Sequence, residues 1–391
     1  MRLVSSLQGS CDKSSLRLLG AVTAADARRG RTRGSGADEG VRPTTNGVRP
    51  ATKCVGLALL FVLGLVSGGG LAAQQGSLAG PVEAYTFDAP TRSLRAVIGF
   101  PGAASFGPTL RDSLDFASVA PRQNYGIGFQ RGQCLLISGL GTSALSTRAL
   151  SGVEAELEGI AWSGDGSHAV LYSSTGNWLQ TISGLPGAPA VGPRVDGSTL
   201  GGVLASVAAD ALGKHIAAGV TAVEGDAGAV YQSSDGQTFT KLVPIAKPIA
   251  LSFSSDAGTL YVLDSSVPQV TAVNLSNQGD QNISLAGLAA PVAIQAVENS
   301  QSTQLLYVAA ASVLRILDIQ SQQIVTDVPL SFQPTSLDQF GSNSFVVAAR
   351  TQASKPLWLF RGTPQPAAYF VPAIQMPDPE RRRSELLGGA R

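Results

Sequence analysis

The chain has 391 residues, 44% of them apolar and 14% charged, with 45 glycines and 6% aromatics. That is ample material for a core and too little charge for a disordered chain. Residues 1–53 hold ten Lys and Arg against four Asp and Glu, residues 54–73 hold no charge, and the 18 basic and 23 acidic residues that follow leave a mildly acidic body. A nucleic-acid binder shows a basic face or stripe. This body has scattered Arg and only Lys214, Lys241, Lys247 and Lys355, which argues against nucleic acid as a partner.

Residues 1–53 are rich in Arg, Gly, Ser and Thr without sustained periodicity. They read as a disordered leader, or as sequence upstream of a later start at Val41 or Val48. Residues 54–73 follow Lys53 with the apolar run Val55–Val66. That run is too short for a membrane span, which needs roughly 20 residues. A basic flank, a short apolar core and small residues at its exit describe a secretory signal, cut after Ala72 or Ala73. The expected product has no stable span and is periplasmic, cell-surface or extracellular. Cys11 and Cys54 precede that cut, so Cys134 remains alone, within the apolar run CLLIS, as a small buried hydrophobe.

From residue 81 onward the chain repeats itself. WSGDGSHAVLY (162–172) has a looser copy, FSSDAGTLYVL (253–263), and GFPGAASFGP (99–108) returns as GLPGAPAVGP (184–193). These offsets of 91 and 85 residues are each close to two units of ~43 residues. First strands of successive units then fall near Leu114, Leu157, Val203, Ile249, Pro291 and Pro334. Two units show four strands each: 248–254, 259–264, 269–275 and 281–287, then 291–297, 304–310, 312–318 and 322–328. Short runs of β-branched and aromatic residues split by Asp, Gly, Ser and Asn support strands joined by tight turns.

Four-stranded units of this length are propeller blades. The expected fold is all-β, a β-propeller of four-stranded blades over 81–371, with seven blades preferred and six possible. Residues 83–88 and 94–100 should form a strand pair that completes a blade with C-terminal strands such as 356–360 or 367–371. Residues 372–391, with an Arg triplet and a Gly pair, read as an exposed tail. The chain from about 80 to 371 resembles exported bacterial propellers of the YVTN/lactonase-like and WD-like classes, whose first turns often read S-x-D-G after an aromatic, as WSGDG does at 162–166. The resemblance implies the architecture.

No motif names a chemistry: there is no phosphate or dinucleotide loop, zinc-hydrolase helix, EF-hand or G-x-S-x-G elbow. His168 and His215, the two histidines, fall at the start of second strands in different blades and are expected to be structural. Ser167 and His168 are adjacent, and strand alternation would point them to opposite faces. Asp165, Asp210 and Asp256 are expected to cap hairpins, since calcium needs six to eight oxygens together. YQSSDGQTFTKL (231–242) approximates the Asp-box turn of sialidase-type propellers at Ser233, Asp235, Thr238 and Phe239, a structural turn. The seven tyrosines sit mostly in strand-like runs, where core packing is the default. No catalytic, cofactor-binding or metal residue is therefore assigned. The sequence favours a monomeric, non-catalytic module for a protein, peptide or glycan. The alternatives are a lactonase-like or glycan-hydrolysing enzyme with carboxylates in the central channel, and a structural envelope component.

Overall fold

A computed structural model describes residues 80–222, 228–276, 279–299, 301–341 and 343–374. The expected leader, signal and true start, with Cys11 and Cys54, lie outside the described residues, as does the tail beyond Ile374. Among the described residues no helix is long and apolar enough to cross a membrane.

The chain forms a β-propeller of seven antiparallel blades. Blade 1 holds β1 (Val82–Asp88), β2 (Ser93–Ile98) and β3 (Ser105–Arg111). Blade 2 holds β4 (Phe116–Val119), β5 (Tyr125–Gln130), β6 (Gln133–Ser138) and β7 (Ser146–Leu150), and blade 3 holds β8 (Gly159–Trp162), β9 (Ala169–Ser173), β10 (Trp178–Ser183) and β11 (Ala190–Asp196). Blade 4 holds β12 (Val203–Ala209), β13 (Ile216–Thr221), β14 (Ala229–Ser233) and β15 (Thr240–Pro244), and blade 5 holds β16 (Pro248–Phe253), β17 (Thr259–Asp264), β18 (Gln269–Asn274) and β19 (Gln281–Ser284). Blade 6 holds β20 (Ala293–Glu298), β21 (Gln304–Ala310), β22 (Val313–Asp318) and β23 (Gln323–Pro329), and blade 7 holds β24 (Asp338–Gln339), β25 (Ser344–Ala348), β26 (Leu357–Arg361) and β27 (Ala367–Val371).

Burial follows position in the blade. The second strand is covered on both faces by neighbouring blades, so it reads as a continuous apolar run: β21, QLLYVAA, is buried at every residue after Gln304. The outermost strand of the same blade, β23, QIVTDVP, has no fully buried residue. One apolar cluster lies between each adjacent pair of blades. Burying both faces of every sheet in this way is what closing a ring achieves. Cys134 sits 2% exposed in the blade 2–blade 3 cluster, and burial pushes its thiol up to about 12. With Cys11 and Cys54 replaced by Ser, the native chain should resist a thiol reagent at about pH 8 and react fully once unfolded. Rapid native labelling would contradict this burial.

The closure differs from the expected one. The pair β1–β2 does form, but it does not join the C-terminal strands: β26 and β27 lie in blade 7, and blade 1 has only three strands among the described residues. Side chains close the ring. Ala84, Val97 and Ala104 of blade 1 pack on Phe340, Leu357, Leu359, Tyr369 and Val371 of blade 7. Arg350, 1% exposed, donates to both carboxylate oxygens of Asp88, 0% exposed, at 2.8 and 2.9 Å. Tyr369 donates to Glu83 Oε1 at 2.6 Å.

The three Ser-x-Asp turns share one hydrogen-bond scheme. Ser163, Ser233 and Ser254 donate through Oγ to Asp165, Asp235 and Asp256 at 2.7, 2.8 and 2.6 Å. The same Oγ atoms accept backbone N–H groups of His168, Gly236 and Thr259, each at 2.9 Å. Asp210 instead accepts from Leu212 N, Lys214 N and His215 Nδ1. Each carboxylate is thus occupied by donors of its own hairpin, the mechanism by which short polar side chains hold turns.

Candidate functional site: the central channel

The main cavity, about 810 Å³, lies on the propeller axis. Blades 2 to 7 line it with their first strands, and blade 1 with Tyr85, Thr86 and Phe87 of β1. Its wall is mostly small: Ala117, Ala161, Ala205, Ala208, Ala250 and Ala296 recur with Ser, Val and Gly. Serines tie neighbouring first strands together. Trp162 Nε1 donates to Ser118 Oγ at 2.8 Å, Ser206 Oγ to the Pro248 carbonyl at 2.7 Å, and Ala296 N to Ser252 Oγ at 2.9 Å.

Among the described residues the lining carries three carboxylates, Glu158, Glu298 and Asp338, and no Lys, Arg or His. Two are held by their own surroundings. Glu158 precedes β8 and accepts from Thr175 N at 2.9 Å and Ser174 N at 3.2 Å. Hydrogen bonds from Thr175, foremost, hold its carboxyl below the ordinary range. Glu298, at the far end of β20, accepts from Ser255 Oγ at 2.7 Å.

Asp338 differs. Its side chain is open to channel water but ringed by protein, and that enclosure raises its pKa despite a hydrogen bond from Ser336. The Tyr172 hydroxyl reaches the channel through the gap left by Gly159, taking the place of a side chain there. Desolvation, then the charges of Asp338 and Glu158, push this phenol up to about 12. The expected core role of Tyr172 holds for its ring, which packs in the blade 3–blade 4 cluster, while its hydroxyl lies in the channel.

The raised acid gives a prediction. A carboxyl with a folded pKa above its unfolded value costs stability when ionised. That cost is absent below about pH 4 and complete above the raised folded pKa. Asp338→Asn should therefore raise the melting temperature at about pH 7 and lose that advantage at about pH 3. An equal effect at both would show that Asp338 ionises freely.

The sequence-derived candidates lie elsewhere. Ser167 Oγ is 2.8 Å from His168 Nδ1 and 2.8 Å from both oxygens of Asp165. This corrects the expectation that Ser167 and His168 diverge: both belong to the turn before β9, so strand alternation does not govern them. The order is carboxylate–serine–imidazole, whereas an activated serine needs the imidazole in the middle. Desolvation pushes the Asp165 carboxyl up, but hydrogen bonds from Ser163 and Ser167 and the His168 charge outweigh it, leaving a weaker base than usual. None of the three lines the channel.

His168 packs over Gly213 of the next blade, two residues before His215, which is bound to Asp210 at 2.8 Å. The histidines thus occupy corresponding turns of adjacent blades, each with its own partner. Among the described residues no three His, Cys, Asp or Glu side chains are placed to hold a metal ion. Asp235 accepts from Gln237 N, Thr238 N and Ser233 Oγ, which lower its pKa; it serves the hairpin, as an Asp-box does.

No family model matches the chain, and no curated protein does. Solved structures share its shape. A functionally unknown protein from Desulfotomaculum acetoxidans is 12% identical with a TM-score of 0.51, over 71% of this chain and 92% of that one. A gluconolactonase from Xanthomonas campestris is 15% identical with a TM-score of 0.43, over 76% and 98%. At such identities the likeness is one of fold, and a propeller fold hosts many unrelated functions.

Proposed function

We propose that the protein is an exported, non-catalytic propeller, a rigid disc that binds a protein, peptide or glycan. The observation that carries this reading is the composition of the channel. A catalytic site needs titratable groups that converge with matched pKa values. Here Ala, Ser and Val dominate, and two of three carboxylates are engaged by neighbouring turns, Glu158 by the β9–β10 turn and Glu298 by Ser255 of blade 5. The Asp338 pKa is raised and that of Glu158 is lowered, so the two are not matched for acid–base work. Among the described residues the lining also offers no cation to an anionic substrate. Export rests on residues 54–73, whose basic flank and short apolar run describe a signal.

The test compares turnover with binding. The full chain should leave aldonolactones and nitrophenyl glycosides unconverted, yet bind members of a peptide or glycan array saturably. Turnover abolished by Asp338→Asn would overturn this reading in favour of the channel enzyme.

A further inference from the structure

Blade 1 is built from the outer three positions of a blade. β3 leads into β4 and the strands alternate in sense, so β1 runs opposite to the first strands of blades 2 to 7, as second strands do. It also lies against β4 as the second strand β13 lies against β16, the first strand of the next blade. The decapeptide agrees: it joins β2 to β3 in blade 1 and the third strand to the fourth in blade 3. Among the described residues no strand pairs with the edge of β1 away from β2. That edge lies on the channel, which Tyr85, Thr86 and Phe87 line.

The neighbouring blades are shaped for a strand there. First strands end in a turn closed by one backbone bond: Ala120 N to Tyr125 O in blade 2, Ser254 N to Thr259 O in blade 5, and Phe340 N to Ser344 O in blade 7. Two residues before these donors stand Ser118, Ser252 and Asp338. Ser118 accepts from Trp162 and Ser252 from Ala296 N, in each case on the first strand of the next blade. Asp338 holds the same place in blade 7, where the next blade is blade 1. Leu337 faces the blade 6–blade 7 cluster, so alternation turns Asp338 toward blade 1. Its hydrogen bond comes from Ser336 of its own blade. On the other side blade 2 presents Ala117 and Val119.

Two hydrogen bonds define the ends of this position. Gly341 N donates to Pro121 O at 2.9 Å, so the first turns of blades 7 and 2 meet across blade 1. Tyr85 N donates at 2.6 Å to the side chain of Gln123, in the turn after β4. A side chain there supplies the acceptor that a strand's carbonyl supplies elsewhere. By the two-residue alternation of an antiparallel ladder, the Phe87 N–H points the same way.

We infer that this edge of β1 takes up an extended segment of a partner protein, antiparallel to β1, with basic side chains toward Asp338 and small apolar ones toward Ala117 and Val119. The inference rests on the proposed binding role and names its ligand. Main-chain pairing gives the affinity, and the two walls select alternate side chains, as in strand addition. The charge is complementary, since among the described residues the channel lining has three carboxylates and no cation. The segment enters from the face where first strands begin, because the Gly341–Pro121 contact covers the other end.

The probe is a capped heptapeptide of alternating lysine and valine, added to the full chain and followed by hydrogen exchange. The Phe87 amide should exchange fast in the chain alone and at least about tenfold more slowly with the peptide bound. Methylating the backbone nitrogens of one residue type should abolish binding, and methylating those of the other should not, because the strand pairs through one edge. Asp338→Asn should weaken binding about tenfold, the loss of one charge-assisted hydrogen bond. A glutamate–valine peptide should not bind, and binding as tight as that of the lysine peptide would overturn the inference. Slow exchange of Phe87 without peptide would mean that the chain fills the position itself, and would overturn it too. Saturable binding that leaves Phe87 fast, or that survives both methylations, would place the ligand elsewhere, sinking the inference while the binding role stands. Failure of the lysine–valine peptide to bind would also sink it; the binding role falls with it only if the peptide and glycan arrays are empty as well.

Discussion

Replacing Asp88 by Ala is expected to destabilise the ring by roughly 3–5 kcal/mol, the usual consequence of stranding one charge of a buried pair. Arg350 is nearly solvent-free, and its remaining donors go to the carbonyls of Lys355 and Ala353. Its guanidinium lies 5.7 Å from the centroid of the Phe106 ring. These contacts cannot neutralise it, so the charge would remain where water is scarce. The pair joins residues 262 apart in sequence, so it acts where the first and last blades meet. A double replacement, Asp88→Leu with Arg350→Met, should recover most of the loss, because apolar groups of similar volume often match a buried pair. Denaturant midpoints of the two single variants and the double one form the cycle that checks this. Single variants within about 0.5 kcal/mol of the parent would show that the pair is hydrated.

The second large effect concerns the blade 6–blade 7 interface. Phe360, Phe345 and Tyr307 are each 0% exposed. The Tyr307 ring meets Phe345 edge-on at 5.3 Å and Phe360 at 5.9 Å. Phe360→Ala should cost about 3–5 kcal/mol, the transfer of a benzyl group plus the cavity it leaves. Ile324→Ala, by contrast, removes a side chain 52% exposed on β23 and should change stability by less than about 0.5 kcal/mol. Equal costs at the two positions would deny that stability resides between the blades.

The elements legible in the sequence are those whose burial leaves an apolar signature. β17, β18, β21 and β22 are covered on both faces and stood out as continuous runs within a residue or two of their bounds. β24 did not: only Asp338–Gln339 pair regularly, and Pro334 marks merely the approach to it. The place of β1 and β2 in the ring is not legible in the sequence, because a hairpin's pattern fixes its own pairing and says nothing of which sheet lies beside it. The decapeptide joins β2 to β3 and β10 to β11, so it carries a correspondence between blades 1 and 3 that the sequence alone shows only as a unit length.

The channel was less legible than the fold. Glu158 and Asp338 lie far apart in sequence and line one channel only because the blades close around it. A sign of the Tyr172 hydroxyl was available in principle, since Gly159 stands opposite Tyr172 in the hairpin, and a strand glycine often marks a close approach. The Ser167–His168 contact is not legible from strand alternation, because both residues lie in the turn before β9.

The central claim is that the seven blades close into a ring through direct contact of blade 1 with blade 7. Spin labels at Arg92 and Lys355, in a background without native cysteines, measure it most directly. The first follows β1 and the second precedes β26, and Asp88 and Arg350 clasp between them. A narrow, short distance distribution that broadens and lengthens on Asp88→Ala is the expected result. A long distance in the parent chain would mean an open array of blades and would contradict the account.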